Sequence, residues 1–151
     1  MNLIRDWLCI GKYLETLDLD LLRAHGIGAM LQLANPTGQP GIESLSLLVE
    51  DGVPLPGHLL VRGVEFVQNQ KRLGRKVLVA CGAGRSRAVA FVVATLKADE
   101  GLALLQALQT VRRHHPETML HPALWDSLCN LYDEDLPFRS ALRAMASKSS
   151  A

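Results

Sequence analysis

Residues 81 to 87 read Cys81-Gly82-Ala83-Gly84-Arg85-Ser86-Arg87. The run Lys76-Val77-Leu78-Val79-Ala80 leads in as a strand, and the residues after the loop follow a helical pattern as far as Lys97. A glycine-containing loop between a strand and a helix is an anion cradle, because its backbone N–H groups and the positive end of the helix face one point. Cys81 at its floor is the candidate nucleophile, since such a field favours a thiolate. Arg87 at its far end can fork two oxygens of a phosphate. Gly82, Ala83, Gly84, Arg85, Ser86 and Arg87 form the candidate phosphate-binding run. Glycine at 82 and 84 keeps side chains out of the way and allows unusual φ angles, with Gly84 the more constrained.

Working outward, the chain has 151 residues and a formal net charge of +1. That length suits one domain with a substantial core, expected over residues 1–146, with a disordered tail at 147–151. The charge gives no electrostatic case for nucleic acid or an anionic membrane. The apolar runs fall far short of a membrane span, and there is no basic segment followed by an apolar stretch and a cleavage site. Three cysteines, Cys9, Cys81 and Cys129, show no metal-ligand spacing and fit free thiols in a reducing, cytoplasmic setting. Cys9 and Cys129 read as small buried hydrophobes, with a disulfide between Cys81 and Cys9 as the minor alternative. His114, His115 and His121 lack the partners of a metal site; no metal or cofactor is expected.

Strands are predicted at Asn2 to Gly11, Ala29 to Ala34 and Ser44 to Val49, besides the one before the loop. Helices are predicted at Leu19 to His25, capped by Asp18, and at Pro56 to Leu73, Arg85 to Lys97, Gly101 to His114 and Pro122 to Tyr132. Strands alternating with helices imply an α/β fold, a mostly parallel sheet with helices on both faces. In such sheets ligands bind beyond the carboxyl ends of strands, where Cys81 lies.

The run Cys81-x-x-Gly84-x-x-Arg87 resembles the signature of the cysteine-dependent protein tyrosine phosphatases, and Ser86-Arg87 is most similar to the dual-specificity branch. Trp7-Leu8-Cys9-Ile10-Gly11 resembles that branch's opening strand. Leu22 to Leu33 is similar to its next helix and strand. Val49-Glu50-Asp51 occupies the place of its acid loop, and Ala107 to Leu131 resembles its C-terminal helices. Two positions depart from the pattern. Ala80 stands where the family has a histidine that organises the loop. Ala88 stands where it has a serine or threonine that bonds the departing sulfur.

The resemblance implies a phosphotyrosine-phosphatase-like fold and a monomeric enzyme that hydrolyses phosphate monoesters on proteins. The phosphorylated residue would be tyrosine, with serine and threonine as further candidates, and the intermediate a cysteinyl phosphate. Asp51 is then the acid, although the adjacent Glu50 is also a carboxylate. A lipid or other small phosphate ester as substrate, and a low-activity phosphate-binding module, are the alternatives. Ser86 is expected to tie the loop together and to stand in part for the hydroxyl missing at Ala88. Arg85 either steers substrates or is simply solvated. Arg112 and Arg113 suit a helix C-terminus.

Overall fold

The structure, a computed structural model, describes residues 1–146; the expected tail at 147–151 lies outside the described residues. Five strands form one mixed sheet in the order β1-β2-β5-β3-β4: β1 Asn2–Arg5, β2 Leu8–Lys12, β3 Ile27–Gln32, β4 Glu43–Ser46 and β5 Lys76–Cys81. β1 pairs antiparallel with β2, and the other neighbours are parallel. The single strand expected over Asn2 to Gly11 is therefore a hairpin. The chain turns at Asp6 and Trp7 and pairs Leu3 with Cys9. β4 stops at Ser46, three residues short of expectation. The chain still follows β3 through bonds from the Leu47 and Val49 N–H groups to the Gln32 and Leu33 carbonyls, 2.9 and 3.2 Å. It then departs into the loop that carries Asp51.

Seven helices complete the described chain: α1 Tyr13–Thr16, α2 Leu19–Ala24, α3 Gly57–Arg72, α4 Arg87–Glu100, α5 Leu104–His114, α6 Pro122–Tyr132 and α7 Phe138–Ala146. The Asp18 side chain caps α2 by accepting from the Leu21 N–H. Proline at the first position of α6 suits a helix start, where a missing N–H costs nothing. The helix expected from Arg85 begins at Arg87, because the intervening residues are committed to the loop. The helix expected from Gly101 begins at Leu104, because Gly101 closes α4 with φ +71°.

The two faces of the sheet are covered unequally. The larger core joins Leu8, Ile10, Leu31 and Val79 to the helices from α3 to α7. The smaller gathers Cys9, Met30 and Leu78 beneath Leu22 of α2. Every residue of α4 from Ala88 to Leu96 is buried, which makes it the central helix of the larger layer. β5 is the middle strand, so the loop joining β5 to α4 emerges at the centre of the sheet's carboxyl edge. Gly63 lets α3 and α4 close on each other: a Cβ there would lie 2.4 Å from the Phe91 ring.

Candidate active site

Cys81 is the last residue of β5 and is 2% exposed. Its Sγ accepts a hydrogen bond from the backbone N–H of Ala88, in the first turn of α4, at 3.4 Å. The chain between them forms a loop, and four of its carbonyls are held by hydrogen bonds. Gly82 O accepts from Tyr13 N–H (3.3 Å), Arg85 O from Met119 N–H (2.8 Å) and Ser86 O from Ala90 N–H (3.0 Å). The Gly84 carbonyl meets the His115 ring at 2.6 Å. In a trans peptide the carbonyl of one residue and the N–H of the next point in opposite directions, and no cis bond occurs among the described residues. With the carbonyls turned out, the N–H groups of Ala83, Arg85, Ser86 and Arg87 are turned in. That side is a cleft of about 250 Å³ bordered by Cys81, Ser86, Arg87, Asp51 and Met119.

Gly84 is required by this geometry. Its φ is +69°, and a Cβ would lie 2.7 Å from the carbonyl oxygen of Gly11 on β2. A side chain would meet both a left-handed backbone and a rigid neighbour.

Arg87 is half-buried, and its Nη1 donates to the Val49 carbonyl at 3.1 Å. Asp51 comes to the same cleft from the loop after β4. The Ser86 hydroxyl donates to Asp51 Oδ1 at 2.9 Å, and the Gly52 N–H donates to the same oxygen at 3.0 Å. Glu50 instead borders an adjacent, more open depression of about 500 Å³ that shares Arg87 with the cleft. The two carboxylates left open by the sequence thus line different cavities that meet at Arg87, and Asp51 is the one that shares its cavity with Cys81. The Ser86 hydroxyl points to Asp51, so its expected service to the Cys81 sulfur gives way to a contact with the loop that carries Asp51.

His115 carries a role the sequence did not disclose. It is 3% exposed. Its Nδ1 lies 2.7 Å from the Asn2 side-chain nitrogen, which also donates to Glu117 at 3.0 Å. An amide N–H pointing at Nδ1 makes that nitrogen the acceptor and leaves Nε2–H to donate to Gly84 O. The Glu117 carboxyl sits below the usual carboxylate range, chiefly through its own backbone N–H, with smaller help from the Asn2 amide. Of the two other histidines at this helix boundary, His114 bonds the Thr110 carbonyl and His121 caps α6. The Arg85 guanidinium is exposed and reaches the Glu117 carbonyl at 3.4 Å. Arg112, expected to serve a helix end, bonds the Met145 carbonyl of α7 at 2.7 Å.

The minor alternative of a Cys9–Cys81 disulfide does not fit the sheet. Cys9 is paired with Leu78, three residues before Cys81, and joins the smaller core, whereas Cys81 faces the larger. A bridge needs Cα atoms within about 7 Å on the same side. Burial pushes the Cys9 thiol up, as expected of an inert packing residue. Cys129 is only partly buried; burial raises its thiol too.

Comparison with known proteins gives a consistent result. The family described as "Dual specificity phosphatase, catalytic domain" matches residues 8–134. Mouse dual specificity protein phosphatase 19 is 26% identical over 132 residues, covering 85% of this chain and 60% of its own length. Human dual specificity phosphatase 28 is 38% identical over 108 residues, covering 69% and 59%. The chain thus spans 60% or less of the length of these curated relatives. The crystal structure of human DUSP28 superposes with a TM-score of 0.82 at 24% identity, over 88% of this chain and 96% of that one. That likeness concerns the fold. No helix among the described residues is long and apolar enough to cross a membrane.

Proposed function

Since the chain belongs to the dual specificity phosphatase catalytic-domain family, we propose that it hydrolyses phosphate monoesters on proteins through a cysteinyl-phosphate intermediate. Phosphotyrosine is the first substrate class, with phosphoserine and phosphothreonine beside it. The observation that carries this reading is the meeting of Cys81 Sγ, the inward N–H groups of the loop, Arg87 and Asp51 in one cleft.

In the first step Sγ, as thiolate, attacks phosphorus in line with the ester oxygen. The S–P bond forms as the P–O bond to the substrate breaks. The inward N–H groups of Ala83, Arg85, Ser86 and Arg87 and the Arg87 guanidinium hold the nonbridging oxygens and the charge they carry. Asp51 gives its proton to the departing oxygen. In the second step water attacks phosphorus, Asp51 takes its proton, the S–P bond breaks and inorganic phosphate leaves. The positive charge comes from Arg87 and the backbone.

The test is a substrate panel: nitrophenyl phosphate, phosphotyrosine and phosphothreonine peptides, and phosphoinositides. Turnover of the peptides above the lipids is expected. Preference for phosphoinositides would point to lipid esters, and peptide binding without turnover would point to a binding module.

The second step is the expected bottleneck. Ala88 offers Sγ only its backbone N–H, and its methyl group cannot supply the hydroxyl found in the family at this place. Ala80, also buried, adjoins a narrow gap bounded by Tyr13, Thr16 and Gln32. The protein should release a burst of nitrophenol followed by a slower steady state. Ala88→Ser should weaken the burst and raise the steady rate about tenfold or more, because a hydrogen bond to a charged group contributes about 1.5–3 kcal/mol. A burst of the same size in the variant counts against this account.

A further inference from the structure

We propose that Ser86 is the positioning residue of the proton-transfer step, its hydroxyl fixing Asp51 so that Oδ2 is the oxygen that carries the proton. This deepens, and rests on, the reading of Asp51 as the acid.

The argument begins with a count of donors. Ser86 is 7% exposed, and its hydroxyl has one proton to give. The backbone N–H of His121 donates to Ser86 Oγ at 3.0 Å. That approach occupies the oxygen on one side and aims its proton at the other, where Asp51 Oδ1 lies 2.9 Å away. The Gly52 N–H donates to the same Oδ1 at 3.0 Å. An oxygen that already receives two donors is not the one that bears a proton. Oδ1 is therefore the anchored oxygen, and Oδ2 is the one available to give a proton to a leaving group and later to take one from water.

The anchor is itself held firmly. His121 is the N-cap residue of α6. Its Nδ1 accepts the Ala123 N–H at 3.0 Å, and its carbonyl accepts from Leu124 and Trp125 at 3.0 and 3.1 Å. Its ring lies beside Gly52, whose φ of +78° makes the turn after Asp51; a Cβ there would stand 3.4 Å from Nε2. Two consecutive residues at the end of the cradle grip two alternate residues of the acid loop: Arg87 takes Val49 O, and Ser86 takes Asp51. The acid is thus placed by α6 and the cradle together. The Ser86 hydroxyl acts on the reaction only through Asp51.

The experiment compares single-turnover rates of Ser86→Ala, Ser86→Thr, Asp51→Asn and the Ser86→Ala/Asp51→Asn double variant. The esters are nitrophenyl phosphate, with a good leaving group, and phenyl phosphate, with a poor one. Inhibition by vanadate reads the state of the cradle. Ser86→Ala should lose about tenfold more rate on phenyl than on nitrophenyl phosphate, as expected for a lost hydrogen bond to a charged group. Ser86→Thr should restore the ratio. In the Asp51→Asn background, removal of the hydroxyl should add no further leaving-group dependence. An equal loss on both esters with weakened vanadate inhibition would mean that Ser86 merely braces the cradle, and would overturn the proposal. A leaving-group effect in Asp51→Asn with none in Ser86→Ala would overturn the positioning role alone. No leaving-group effect in either variant would remove Asp51 as the acid, and the proposal with it.

Discussion

Cys81→Ser should reduce hydrolysis of phosphotyrosine peptides by roughly 10⁴-fold or more, the scale of losing the nucleophile from a site of this kind. The reason lies in what surrounds position 81. A serine hydroxyl needs a base to take its proton, and none is placed to do so. Residue 80 is alanine. His115 is behind the loop, with Nε2 on the Gly84 carbonyl, and His121 is committed to the cap of α6. Asp51 must itself hold a proton for the leaving group in the first step, so it cannot also take the serine's. The variant should keep its melting temperature and still bind phosphotyrosine peptide, because the inward N–H groups and Arg87 are untouched. Peptide turnover within tenfold of the parent would exclude Cys81 as nucleophile. Loss of peptide binding together with turnover would show that the sulfur organises the cradle rather than attacking from it.

Asp51→Asn should lower single-turnover rates by about 10²–10⁴ on esters with poor leaving groups, the usual contribution of general acid catalysis. Nitrophenyl phosphate, whose leaving group needs little help, should suffer far less. Glu50→Gln is the companion measurement. Glu50 is exposed and borders the open depression rather than the cleft that holds Cys81, so its removal should change either rate by less than about threefold, as for an exposed charge. If Glu50→Gln shows the leaving-group dependence and Asp51→Asn does not, the two carboxylates exchange roles.

What could be read in advance depended on whether the signal was local. Val77 to Ala80, the two glycines and the helical pattern after them are contiguous, so strand, loop and helix were legible together. Pro122 marked the start of α6 for a similar reason. The hairpin at Asp6 and Trp7 leaves no mark in the sequence, because apolar residues on both sides of the turn read as one run. α1 is four residues long, too short for a periodic signal. α7 was missed although Ala141, Ala144 and Met145 bury one face. That stripe gains meaning only from the partners it packs against, such as Arg112, thirty-three residues before Met145. The site divided along the same line. Cys81 and Arg87 share a heptapeptide, so their pairing as candidates is legible in the sequence. The contact of Ser86 with Asp51 spans 35 residues and that of His115 with Gly84 spans 31. Neither follows from any pattern along the chain. His115 in particular looked like one of several histidines near a helix end, and only its burial against the loop distinguishes it.

The Asn2 side chain gives the rim of the molecule a hold on its centre. β1 is an edge strand, yet the Asn2 amide steadies the imidazole that pins the Gly84 carbonyl. Force applied to this edge, whether by a neighbouring strand adding to it or by a substitution that rotates Asn2, is transmitted through two hydrogen bonds to the atoms that would grip the phosphoryl group. The margin of the sheet is in this sense a remote handle on the oxyanion pocket.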